Sequence, residues 1–152
     1  MYSDDAVIRI VEDRFVPARV HVKEQADEYR RLGKLYGVQW TPTILLVAPD
    51  GTERHRIEGF LPKDEFIPQL NLGLAKIAFS SQRFEDAARL FADVAQADPA
   101  SDAAPEALYW AGVARYKATG DATALREIAR QIATRYTDSS WAKKASVWGN
   151  ST

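Results

Sequence analysis

Residues 36–60 read YGVQWTPTILLVAPDGTERHRIEGF, and this stretch decides the fold. Thr41-Pro42 runs straight into an apolar, β-branched-rich segment, Thr43 to Ala48. Asp50-Gly51 is a turn signal, and a second short run ends at Gly59. Two such runs joined through Asp-Gly predict a β-hairpin, here one entered through a proline. Its charged arm, Glu53-Arg54-His55-Arg56, reads as a solvated edge, because charges there discourage pairing with another chain.

Upstream of the hairpin, Ser3-Asp4-Asp5 reads as a helix start, with Ser3 as the cap and two carboxylates at the positive end of the dipole. Val7, Ile8, Val11 and Phe15 recur at helical spacing, and the helix is expected to end near Arg14. Phe15 to Val22, FVPARVHV, alternates β-branched residues and predicts a strand with Val16, Ala18, Val20 and Val22 on one face. Pro17 cannot donate to a ladder, so it belongs at the strand's start or on an unpaired edge. Glu24 to Tyr36 predicts a polar helix burying Tyr29, Leu32 and Tyr36, with Gly37 as its stop.

Downstream, from Pro62 onward, the pattern is helical throughout. Pro62 suits a first helical turn, and Phe66, Leu70 and Leu74 come after it at spacings of four. Pro68, lacking its N–H, is expected to kink or divide that helix. Further amphipathic segments run from Phe84 to Ala97, Pro105 to Thr119, Ala122 to Tyr136 and Ser140 to Trp148. The links between them are short, which predicts antiparallel neighbours.

Composition excludes several classes of function. The chain has 152 residues, 46% apolar and 27% charged, with a net charge of -1. No basic stripe marks a nucleic-acid or anionic-membrane surface. No apolar run approaches the roughly 20 residues of a membrane span. There is no cysteine, so this chain can form no disulfide, thiolate nucleophile or Cys-based zinc site. His21 and His55 stand beside no carboxylate or Ser at a motif spacing. Asp4-Asp5 with Glu12-Asp13 reads as a helix surface, and no Gly-rich phosphate loop occurs. Neither catalytic residues, metal ligands nor a cofactor are expected.

Two resemblances organise these observations. The run LGLAKIAFSSQRFEDAARLFADVAQADP, with Phe84, Ala87, Phe91 and Pro99 at the expected offsets, resembles a tetratricopeptide repeat of about 34 residues. The next unit, ALYWAGVARYKATGDATALREIARQIATRYTDSSWAKKA, is similar to the divergent repeats of bacterial TolA-binding periplasmic proteins, with Tyr136-Thr137 where the terminal proline is expected. Residues 36–70 resemble the second half of the thioredoxin fold: a helix, a cis-proline, a hairpin and a terminal helix. The helix and FVPARVHV segment before them are similar to the segment after the active-site helix in that family.

These resemblances imply an α/β thioredoxin-like portion with an incomplete sheet at residues 1–71, and an all-α tetratricopeptide-like portion at 72–152. Pro42 is then the cis-proline, and Thr41 offers its backbone to an extended peptide, with Trp40 beside it as an anchor. The family's first strand and its Cys-x-x-Cys helix start have no counterpart here, and thiol–disulfide exchange needs those sulfurs. The resulting expectation is a non-redox protein-binding module, chaperone-like or scaffolding. It engages a protein or peptide through Trp40, Thr41 and Pro42 and through a helical groove lined by Tyr109, Trp110 and Tyr116. The alternative is the non-catalytic C-terminal fragment of a thiol–disulfide oxidoreductase. The gap in the sheet is expected to close by direct pairing of the Phe15 and Thr43 strands, or by a strand taken from a partner in a homo-oligomer. Trp148 is expected to cap the last helix pair. A cytoplasmic location is expected, or a periplasmic one if an N-terminal signal was lost.

Overall fold

The computed structural model describes residues 3–149. Helix α1 spans Asp5–Arg14, α2 Ala26–Tyr36, and the hairpin strands β1 and β2 are Thr43–Val47 and Glu53–Glu58. Five helices follow: α3 Lys63–Ser80, α4 Phe84–Ala97, α5 Ala103–Thr119, α6 Thr123–Arg135 and α7 Ser140–Gly149.

Helix α1 is capped one residue later than the sequence suggests. Asp4, not Ser3, has the extended backbone of a cap and accepts from the Ala6 N–H at 2.9 Å. The hydrogen bond from Lys63 at 3.1 Å first, and the capping bond from Ala6 second, hold this carboxylate below the ordinary range, and its charge suits the helix dipole. The buried stripe is Val7, Ile10, Val11 and Phe15, so Ile10 takes the place assigned to Ile8.

The strand expected at Phe15–Val22 does not form. Residues 15–21 carry no regular structure, Val16 is 99% exposed, and residues 16–20 donate none of the described backbone–backbone hydrogen bonds. The sheet of the described residues therefore has two strands, β1 and β2, and the direct pairing of the Phe15 and Thr43 segments is absent. β-Branched alternation expresses fitness for a pleated surface, and without a neighbouring strand it has nothing to pair with. Pro17 further removes one donor.

Helix α2 ends as expected at Gly37, which adopts φ 62° and lets its N–H return to the Gly33 carbonyl. Its apolar stripe is shallower than predicted: Tyr29, Leu32 and Tyr36 are half-buried, and none of the helix is fully buried. Strand β1 pairs antiparallel with β2 from Thr43 opposite Glu58 to Leu46 opposite His55, with an irregularity between Leu46 and Val47. Gly51 turns the chain with φ 83°.

Two hydrophobic clusters form, and one helix serves both. Val7, Leu46, Ile57, Phe66 and Leu70 join α1, the hairpin and the start of α3. Leu72, Ala75, Ala78, Ala87, Phe91, Ala107, Ala111, Ile128 and Ile132 belong to the second, alanine-rich cluster among α3 to α7. Small side chains there bring the helices close: a Cβ added at Gly112 on α5 would lie 2.7 Å from Ile128 Cγ1 on α6. Each helix from α3 to α6 packs on the next, and α3 on α5 and α5 on α7 as well. Pro68 is buried within α3, yet the helix runs unbroken for its 18 residues. The division between Asn71 and Leu72 falls inside this helix. The chain is thus an α/β portion with a small sheet, followed by an all-helical portion.

Candidate functional site

The Arg56 side chain builds the site's frame. It donates to both carboxylate oxygens of Glu53 at 2.7 Å, to Glu58 at 3.2 Å, and to the carbonyls of Tyr36 and Gly37 at the end of α2. Hydrogen bonding and charge from Arg56 hold Glu53 below the ordinary carboxylate range, and the two carboxylates hold Arg56 firmly protonated. The Tyr36 hydroxyl donates to the Gly51 carbonyl at 3.0 Å, tying α2 to the hairpin's far turn. The α2 end of the 37–42 loop is therefore anchored.

That loop presents the predicted residues. The Thr41–Pro42 peptide bond is cis. The Thr43 hydroxyl donates to the Trp40 carbonyl at 2.7 Å, and the Gly59 N–H donates to the Pro42 carbonyl at 2.8 Å. Trp40 is 68% exposed, and Thr41 and Pro42 are exposed with it. Phe60, next after Gly59 and opposite the same end of the hairpin, is 70% exposed. Two large aromatic side chains thus stand in solvent at the hairpin's open end. Leaving such surface wet sacrifices about 25 cal/mol per Å² of burial. Sequence reasoning passed over Phe60; its place directly after Gly59, which pairs with Pro42, was the available signal.

The helical trio separates. Tyr109 stacks on Trp148 with centroids 4.6 Å apart and leans on Trp141 at 5.1 Å, so α5 and α7 are joined by aromatic contact. Trp148, expected to cap the last helix pair, instead packs onto Tyr109 of α5. Trp110 meets Phe79 of α3 edge-on at 5.4 Å, and its buried Nε1 has no hydrogen-bond partner. Tyr116 is 40% exposed near the end of α5 and makes none of the described ring contacts. Tyr109 and Trp110 are half-buried members of the helical packing, and Tyr116 stands apart from them.

His55 overturns the reading of its arm as solvated. It is buried, with Nε2 2.7 Å from Gln69 Oε1 and Nδ1 3.2 Å from Lys76 Nζ. An ammonium can only donate, so Nδ1 accepts and the Nε2–H donates to Gln69. Lys76 also pairs with Glu106 of α5 at 2.6 Å. Burial first, and the Lys76 charge second, push the imidazole below its ordinary value. The pattern was readable: the strand period of 2 puts His55 on the same face as Ile57. His21 is half-exposed and receives the Glu24 N–H at 3.2 Å. The network is a polar link from β2 through α3 to α5.

Among the described residues no group of three or more His, Asp or Glu side chains could hold a metal ion. No helix of the described residues is long and apolar enough to cross a membrane. No curated protein and no solved structure shows significant similarity to the chain. Residues 1–73, which comprise α1, α2, the hairpin and the first part of α3, match the family model described as a thioredoxin-like domain.

Proposed function

We propose that the chain is a non-redox protein-binding module, with residues 1–71 acting as the thioredoxin-like part and 72–152 as a tetratricopeptide-like part. The observation that carries this reading is the exposed Trp40 on a loop anchored at both ends, next to Thr41 and Pro42. A rigid aromatic anchor loses little conformational freedom on binding, which is why such residues dominate interfaces. The backbone of Thr41 is exposed beside it and available to an extended segment. Absence of cysteine leaves the chain no thiol with which to attack a disulfide, so binding rather than exchange is the activity its own residues support. Of the three aromatic residues expected to line a helical groove, Tyr116 is the exposed one, and it carries the proposed helical surface.

Binding to an array of extended peptides tests this, using wild type, Trp40→Ala and Tyr116→Ala. Loss of an anchor of this kind weakens binding about tenfold or more. Trp40→Ala is expected to lose the peptides that wild type retains. Unchanged binding by Trp40→Ala overturns the assignment at the hairpin, and loss by Tyr116→Ala alone moves the function to the helices.

A further inference from the structure

Strand β1 leaves one edge unpaired, and its sequence suits a copy of itself. Gly59 donating to Pro42 and Ala48 donating to Thr52 fix the alternation, so residues 42, 44, 46 and 48 bond toward β2. The N–H and C=O groups of Thr43 and Leu45 therefore point away from the hairpin. No other strand of the described residues lies there, and the elements packed on β1 are β2 and α3. None of the described backbone–backbone bonds reaches Thr43 or Leu45 from outside the hairpin. An open edge of this kind is ordinarily guarded by charge, proline or a covering element. The β1 run, Thr43-Ile44-Leu45-Leu46-Val47, contains neither a charge nor a proline. The neighbouring β2 does carry such guards: Glu53, Arg54, Arg56 and Glu58.

We infer that two copies of this chain associate by antiparallel pairing of β1 with β1 about a two-fold axis at Leu45. In that register Leu45 faces Leu45 of the second copy, Ile44 faces Leu46, and Thr43 faces Val47. Every cross-strand pair is apolar or β-branched, the kind that stabilises a sheet, and no like charges meet. The half-exposed Leu45 and the exposed Val47 lose water on the face away from α3. The two-fold arrangement satisfies both open edges at once, since each copy brings the same unpaired groups. The result is a four-stranded sheet built from two hairpins. A single pair of short strands buries less than a standard interface, so the dimer dissociates at concentrations on the order of 10–1000 μM.

Sedimentation velocity across that concentration range tests the inference, with far-UV circular dichroism to verify the fold of each variant. Wild type is expected to shift from monomer to dimer. Leu45→Glu places two carboxylates face to face at the axis while giving each one a neighbour in its own Arg56, across the hairpin. It is expected to raise the dimer dissociation constant about tenfold or more. Because the chain has no cysteine, Leu45→Cys introduces a single thiol, and a short bismaleimide should link two copies at that position. The same reagent on Ala92→Cys, exposed on α4, should give no dimer. Trp40→Ala, which tests the peptide surface, leaves the association in place. A wild type monomeric throughout the range, or a dimer that survives Leu45→Glu with Leu45→Cys uncrosslinked, overturns the inference.

Discussion

Lys76→Met probes the polar link between the hairpin and the helical core. The Lys76 ammonium is 2.6 Å from Glu106 and 3.2 Å from His55 Nδ1, and the Lys76 and Glu106 side chains are only 24% and 20% exposed. Methionine keeps the unbranched stem, so packing is largely retained while the charge and its donors go. What remains is a mostly covered Glu106 carboxylate and a His55 nitrogen without their donor. Orphaning acceptors of this kind costs about 1–3 kcal/mol. Taking roughly 2 kcal/mol, and roughly 2–4 °C of melting temperature per kcal/mol for a chain of this size, the expected loss is about 4–8 °C. Urea unfolding followed by circular dichroism at neutral pH reads the same quantity. A pH series adds an independent sign. Burial and Lys76 hold the folded imidazole below its ordinary 6.5. As pH falls through that value the unfolded chain takes up a proton that the folded chain refuses, so stability present above about pH 6.5 is lost below it. The loss ends once the pH passes the folded value. Without Lys76 the repulsion on the imidazolium is gone, so the variant should lose less stability than wild type over the same acid interval. A Lys76→Met protein within about 0.5 kcal/mol of wild type at neutral pH, with an unchanged acid slope, refutes the reasoning.

Two further substitutions address how the site and the helices are held. Gly112→Ala sets a gain in helix propensity of about 1 kcal/mol against overpacking of about 1–3 kcal/mol. Contacts of 2.7, 3.0 and 3.2 Å fall on Ile128 atoms at or next to its backbone-fixed Cβ, so overpacking should win and the melting temperature should fall. Ile128→Ala combined with Gly112→Ala should cost less than the sum of the two, which a double-mutant cycle measures. Arg56→Met removes the donors that hold the Tyr36 and Gly37 carbonyls, so hydrogen exchange in the 37–42 loop should quicken by about tenfold or more. Unchanged exchange there would show that the loop is held by other means.

Local chemistry made much of the fold legible. Asp50-Gly51 fixed the hairpin, Gly37 stopped α2, and the helical pattern from Phe84 onward located α4 to α7 within two residues at each end. The segment at Phe15–Val22 shows where such reasoning stops. Its β-branched alternation states a preference, but a strand is made by its neighbour's hydrogen bonds, and none of the described residues supplies them. Pro68 shows the converse: a missing N–H in the second turn of α3 was outweighed by burying its ring. Pro42 was expected as a cis-proline from the resemblance to the thioredoxin fold, and its peptide bond is cis. Lys76 and Glu106 meet His55 only through the packing of α3 on the hairpin and on α5, and no spacing in the sequence records that meeting. Tyr109 and Trp110 were read as a groove because aromatic residues were plentiful; their surplus is absorbed by contact with Phe79, Trp141 and Trp148.

Helix α3 gives Phe66 and Leu70 to one cluster and Leu72, Ala75 and Ala78 to the other. Neither cluster can release the helix without wetting apolar surface that belongs to its neighbour, so the smallest unit able to melt alone is larger than either half. The chain should therefore show one unfolding transition where its two kinds of architecture suggest two. A cut between Asn71 and Leu72 would divide a helix in mid-course, stripping each product of a wall of its own core.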